Sequence, residues 1–178
     1  MNGPIEDTNY ELRVPSSAAD VLQALIDFGP LRPRIWPETS HPRVYRVHEL
    51  GTHQAEVTEG VPAAWSRERY DWSEPGVVTL TQVDSNVSRK GTIRYRIMED
   101  GTGTCIVCNR HREFYGIRGY LAGTVMKTLG AMILRRQLRH GIERSARLHA
   151  ATVTCRCRLR PSSARIRGSL RQPVSTTT

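Results

Sequence analysis

GTIRYRIMEDGTGTCIVCNRHREFY, residues 91–115, is the stretch that decides the fold. Two runs of alternating side chains flank Asp100, Gly101, Thr102 and Gly103, a cluster of turn formers. Alternation with a period of two is the mark of a strand with one buried face, and a Gly-rich break between two such runs marks a hairpin. The spacing therefore predicts strands over 91–99 and 103–115. Upstream, runs at 43–50, 54–60, 63–72 and 76–85 repeat the pattern, separated by Gly51, by Gly60 with Pro62, by Pro75 with Gly76, and by Lys90 with Gly91. Turn signals at that interval predict an antiparallel meander.

The meander is framed by two helical signals. Tyr10, Leu12 and Val14 alternate in a first strand over 8–14 that Pro15 ends. Ser17 with Asp20 three residues on fits a capping box, and Val21, Leu22, Leu25 and Phe28 follow at helical spacing. Pro30, Pro33, Pro37 and Pro42 then exclude a regular helix or central strand. Trp36, a large apolar residue on that loop, needs a surface to cover, such as the mouth of a pocket. After the last strand, Gly116 to about His149 reads as one long helix with an apolar stripe at Leu121, Val125, Leu129, Met132 and Ile133. Residues 1–7 are expected to be an N-terminal extension, 8–149 the folded domain, and 150–178 a basic tail without apolar periodicity.

The order of elements, together with the segment from Val14 to Val21, the segment from Trp65 to Ser73, Asp84 to Val87, and the helix from Gly116 to Arg139, resembles the SRPBCC, or START-like, superfamily. The resemblance is to its polyketide cyclase/dehydrase and lipid transport branch in particular. The likeness spans about residues 8–149. It implies an α+β helix-grip fold: a curved antiparallel sheet of about seven strands wrapped around the long C-terminal helix. It also implies a cavity for a lipid, polyketide or aromatic compound. It implies no single reaction, because function resides in sites and not in folds.

Charge divides the chain. Up to His149 there are 20 Lys and Arg against 17 Asp and Glu, a balance of +3, whereas the tail adds six arginines and no acid to reach +9. Most of the excess is outside the folded domain, which weakens a polyanion-binding reading. No window is long and apolar enough for a membrane span, since Lys127 interrupts the best run, Leu121 to Leu134. The first residues do not resemble a secretory signal, so a cytoplasmic location is expected. Cys105 and Cys108 have the spacing of a zinc or redox motif, but on a strand residues three apart point to opposite faces.

Arginine is rarely buried unpaired, so the faces carrying Arg67 and Arg69, Arg94 and Arg96, and Arg110 and Arg112 are expected to point to solvent. That choice places Glu68, Tyr70, Trp72, Tyr95, Asn109, His111 and Glu113 inside. On strand 76–85 it places Val78, Leu80 and Gln82 inside. A buried polar group without a partner costs about 1–3 kcal/mol. So many polar tips fit a partly wet cavity better than a dry core, unless they pair with one another. The expected ligand-contacting set is Trp36, Glu68, Tyr70, Trp72, Tyr95 and Asn109, with Leu121, Val125 and Leu129 from the helix. His111 and Glu113, two apart on one strand, form a candidate acid–base pair.

Three functions are compatible with these features. One is a carrier of a hydrophobic small molecule. Another is a cyclase or dehydratase acting in the same cavity through His111 and Glu113. The third is a basic peripheral protein. None calls for a metal or another cofactor. The basic end of the helix allows a weak contact with an anionic membrane, and nucleic acid is disfavoured for want of aromatic stacking platforms. Solid packing between sheet and helix, or Arg67, Arg94 and Arg110 aimed at the helix, would remove the carrier reading.

Overall fold

A computed structural model describes residues 2–158. In chain order the elements are β1 (Asn2–Val14), α1 (Ala18–Ile26), α2 (Arg32–Ile35), β2 (Arg46–Leu50), β3 (Gln54–Val61), β4 (Ala64–Asp71), β5 (Val77–Ser85), β6 (Ser88–Glu99), β7 (Thr104–Tyr115) and α3 (Gly116–Arg158). The strands form one antiparallel sheet in the order β1-β7-β6-β5-β4-β3-β2. β1 leaves the meander order to pair with the last strand, setting Tyr10 opposite Cys108 and Leu12 opposite Ile106. This is the expected helix-grip fold.

The local signals act where expected. The Ser17 hydroxyl accepts a hydrogen bond from the Asp20 amide and caps α1. Val21, Ala24 and Leu25 bury the inner side of that helix. Among the prolines, α2 forms a single turn with Pro33 in its first positions, where the missing N–H costs nothing. Gly101 takes a positive φ of 81° in the β6–β7 hairpin, and Gly116, at 68°, turns the chain from β7 into α3.

Two boundaries differ from expectation. Residues 2–7 belong to β1 and are not an extension, because they pair with β7 as far as Tyr115. α3 continues past His149 to Arg158. The remainder of the expected tail lies outside the described residues.

α3 lies across the concave face, chiefly over β1. Its first half turns glycines to the sheet. A Cβ on Gly119 would run into the Val87 carbonyl, and one on Gly123 would overlap Pro4 and Phe114. Further along, a Cβ on Gly141 would overlap the Trp36 ring. Close approach through small residues rotates the apolar stripe outward. Leu121, Val125 and Leu129, expected to line the cavity, are 64%, 49% and 48% exposed. Hydrophobic periodicity locates a stripe, but it cannot distinguish a stripe that faces the sheet from one opposite a glycine face.

Candidate ligand cavity

Between the sheet and α3 is a cavity of about 310 Å³. That lies near the small end of the roughly 300–1,000 Å³ range of small-molecule sites. Apolar walls come from Leu25, Trp36, Leu80, Ile93, Phe114 and Leu138. The half-exposed Val61, Ala64 and Met126 are among the lining residues that solvent reaches.

Two charged groups are built into this wall. In the first, Arg32 is 4% exposed. Its Nε donates to Glu59 Oε1 at 2.8 Å, Nη1 to the Leu25 carbonyl at 2.7 Å, and Nη2 to the Tyr70 hydroxyl at 3.1 Å. Glu59 also accepts from Ser40 at 2.9 Å and from the Tyr70 hydroxyl. The rings of Phe28 and Trp36 lie 4.9 and 5.6 Å from the guanidinium carbon. Burial works against both charges, yet their mutual attraction and hydrogen bonds raise the Arg32 pKa and lower that of Glu59. Burial, then Glu59, raises the Tyr70 phenol well above its ordinary value.

The second group is less completely paired. Glu68 Oε1 accepts from Arg112 Nη2 at 2.5 Å and from Ser66 at 2.6 Å. Arg110 Nε lies 3.3 Å from Glu6 Oε2 without a hydrogen bond, while Glu6 Oε1 accepts from Thr8 at 2.9 Å. Glu6 Oε2, Glu68 Oε2, Arg110 Nε and Arg112 Nε are buried without a hydrogen-bond partner among the described residues. Burial, and then the neighbouring Arg112, lower the Arg110 pKa.

The inward assignments on β4, β5 and β6 agree with the structure. Glu68, Tyr70 and Tyr95 line the cavity, and Trp36 reaches it from α2, its indole N–H bonded to the Ala24 carbonyl. Arg67 and Arg94 point away and pair with Glu56 and Glu74. Trp72, just beyond β4, is half-buried against Phe28, with ring centroids 5.9 Å apart, and is not part of the wall.

On β7 the expected face is reversed. Ile106, Cys108, Arg110, Arg112 and Phe114 are buried or face the cavity, while Asn109, His111 and Glu113 lie on the outer surface. Asn109 bonds to Asn9 at 2.7 Å. His111 meets Asp7 at 2.7 Å and Glu113 at 3.3 Å, and these two contacts raise its pKa. The sheet thus separates the expected acid–base pair from the cavity. The premise that arginine avoids burial fails here because the inner face supplies its own carboxylates. Glu68, inward by the same alternation, requires a cation, a signal that could have reversed the β7 assignment. The participation of Arg32, Glu59 and Glu6 had no local signal.

Cys105 and Cys108 are on opposite faces, as expected: Cys105 pairs with Arg13 in register and Cys108 with Tyr10. No cluster of metal-ligating side chains occurs among the described residues.

A curved sheet gripping a C-terminal helix, with a cavity between them, defines a START-like protein fold. The solved structures similar to this chain share it. The aromatase/cyclase ZhuI from Streptomyces sp. R1128 superposes with a TM-score of 0.60 at 15% identity, covering 81% of this chain and 95% of its own. A START superfamily protein from Mycobacterium smegmatis gives 0.60 at 15%, covering 82% and 99%. The protein TTHA0849 from Thermus thermophilus gives 0.63 at 15%, covering 82% and 99%. At such identity the likeness establishes the fold alone. No family model and no curated protein matches the sequence.

Proposed function

We propose that this protein binds and carries a small amphipathic molecule: an apolar body held between sheet and helix, with an acceptor-bearing group, such as a carboxylate or polarised carbonyl, at Arg110 and Arg112. The observation that carries this reading is the imbalance of hydrogen-bonding groups at the second charged cluster. A guanidinium has five N–H donors. The side chain of Arg110 donates no hydrogen bond among the described residues, and that of Arg112 donates one, to Glu68. The acceptors left over there are Glu6 Oε2 and Glu68 Oε2. The two buried Nε donors are matched in number by those two oxygens; the surplus is in the guanidinium Nη groups, which are not fully buried and belong to residues that line the cavity. A ligand acceptor would redress that imbalance, while Leu80, Ile93 and Phe114 would surround its body.

The likeness to proteins described as an aromatase/cyclase and a START superfamily member supports a small-molecule role without naming the molecule. A cyclase or dehydratase reading loses its proposed acid–base pair, because His111 and Glu113 face the other side of the sheet.

The test is calorimetric titration with 2-naphthoate and with naphthalene. Wild-type protein is expected to bind the carboxylate at least roughly tenfold more tightly, the scale of one charge-assisted hydrogen bond. A Glu6→Gln/Arg110→Met variant, which keeps Arg112, should weaken that preference and keep its affinity for naphthalene. Equal binding of both by wild type would leave a carrier but remove the role of the arginines. Binding of neither would overturn the cavity reading.

A further inference from the structure

α3 presents to solvent a face that no part of the described fold covers. Ile117, Leu121, Val125, Leu129 and Met132 follow one another at three- and four-residue steps, and every one is between 48% and 78% exposed. Arg136 and Arg139 continue that side of the helix at the same steps, and both are exposed. Isolated exposed apolar side chains are ordinary, but a contiguous row is the mark of an interaction surface. The row results from the fold itself. Gly119, Gly123 and Gly130 occupy the sheet-facing side of this stretch, so the five apolar residues of the row point away from the core.

We propose that this face of α3 docks on an anionic lipid surface, with the leucines entering the headgroup–acyl boundary and the arginines meeting lipid phosphates. The charge pattern selects this occupant. From Gly116 to Gly141 the sequence contains Arg118, Lys127, Arg135, Arg136 and Arg139 and no Asp or Glu. A second copy would bring the same cations against them. The chain's own residues 150–178 would add six arginines and no acid, so the tail is equally ill-matched. Nucleic acid would use the cations but leave the leucines without a role. A lipid surface uses both features of such a helix, apolar side chains on one line and basic ones beside it. No helix among the described residues is long and apolar enough to cross a membrane, so the contact is peripheral.

The experiment is sedimentation of the full-length chain with vesicles of equimolar phosphatidylcholine and phosphatidylglycerol, and with vesicles of phosphatidylcholine alone. Wild-type protein is expected to sediment with the first and remain in solution with the second. Leu121→Gln/Leu129→Gln should lower the affinity roughly tenfold or more, since apolar burial contributes alongside charge. Both positions are exposed, so circular dichroism and thermal unfolding should be unchanged. Leu121→Ala/Leu129→Ala provides a second variant if the first unfolds. Arg136→Gln/Arg139→Gln should weaken binding further, and high salt should weaken wild-type binding. Unchanged binding by the leucine variants would assign the attraction to the tail and overturn the proposal. So would leucine-dependent self-association without vesicle binding, or capture by duplex DNA that competes with vesicles and ignores the leucines.

Discussion

The two buried arginine sites should respond differently when the first loses its cation alone and the second loses both charges of its pair. Arg32→Met removes the cation that holds Glu59, together with hydrogen bonds to the Leu25 carbonyl and the Tyr70 hydroxyl. Glu59, itself 8% exposed, would keep only Ser40 and Tyr70 as donors. Breaking a buried, well-bonded ion pair costs about 3–5 kcal/mol. In a domain of this size each kcal/mol shifts the melting temperature by roughly 2–4 °C, so a fall of roughly 6–20 °C is expected. Glu6→Gln/Arg110→Met removes a pair that shares a 3.3 Å ion contact and no hydrogen bond, and Gln keeps an acceptor for Thr8. Replacing a buried pair by well-packed hydrophobic side chains of similar volume is often neutral or stabilising, and here Met replaces the cation while Gln stays bonded to Thr8, so the double variant should unfold within about 1 kcal/mol of wild type or above it. Urea denaturation followed by circular dichroism measures both. Equal destabilisation of the two variants would refute the division between a structural arginine and a binding one.

Three further predictions rest on other parts of the fold. The contacts with Asp7 and Glu113 raise the His111 pKa, so an NMR titration should place it above the ordinary value of about 6.5, and Asp7→Asn should bring it down. Because the folded-state value is the higher one, this interaction stabilises fully below the unfolded pKa and fades as pH rises through the folded pKa. A His111→Gln variant should lack that pH dependence of stability. Gly119→Ala gains about 1 kcal/mol of helix propensity, yet its Cβ would meet the backbone carbonyl of Val87, which cannot rotate away. Net destabilisation in thermal unfolding is therefore expected, where an unhindered glycine would give stabilisation. The Cys108 thiol, pushed up to about 11 by burial, should resist alkylation in the native protein at neutral pH and react only as the chain opens, as read by peptide mass mapping.

Much of this architecture could be read from local pattern. Alternation and turn residues located every strand of the meander within a few residues, because both are properties of short segments. The Ser17 cap and the proline-rich loop behaved as their chemistry requires. The inward faces of β4 and β6 were also readable, since Glu68, Tyr70 and Tyr95 alternate with arginines that do pair outside, Arg67 with Glu56 and Arg94 with Glu74.

The same rule failed on β7, and the reason is tertiary. Whether Arg110 and Arg112 can be buried depends on carboxylates 104 and 44 residues away in sequence, Glu6 and Glu68, which only the closed sheet brings opposite them. The orientation of α3 was likewise undecided by its own sequence. An apolar stripe and a glycine stripe are equally periodic, and the closeness of Val87, Pro4 and Phe114 determines which one meets the sheet. Local sequence thus determined which segments become strands and helices. Which charges share the cavity, and which side of the long helix meets solvent, was decided by partners distant along the chain, because a buried charge is tolerated only where its counter-charge is also buried.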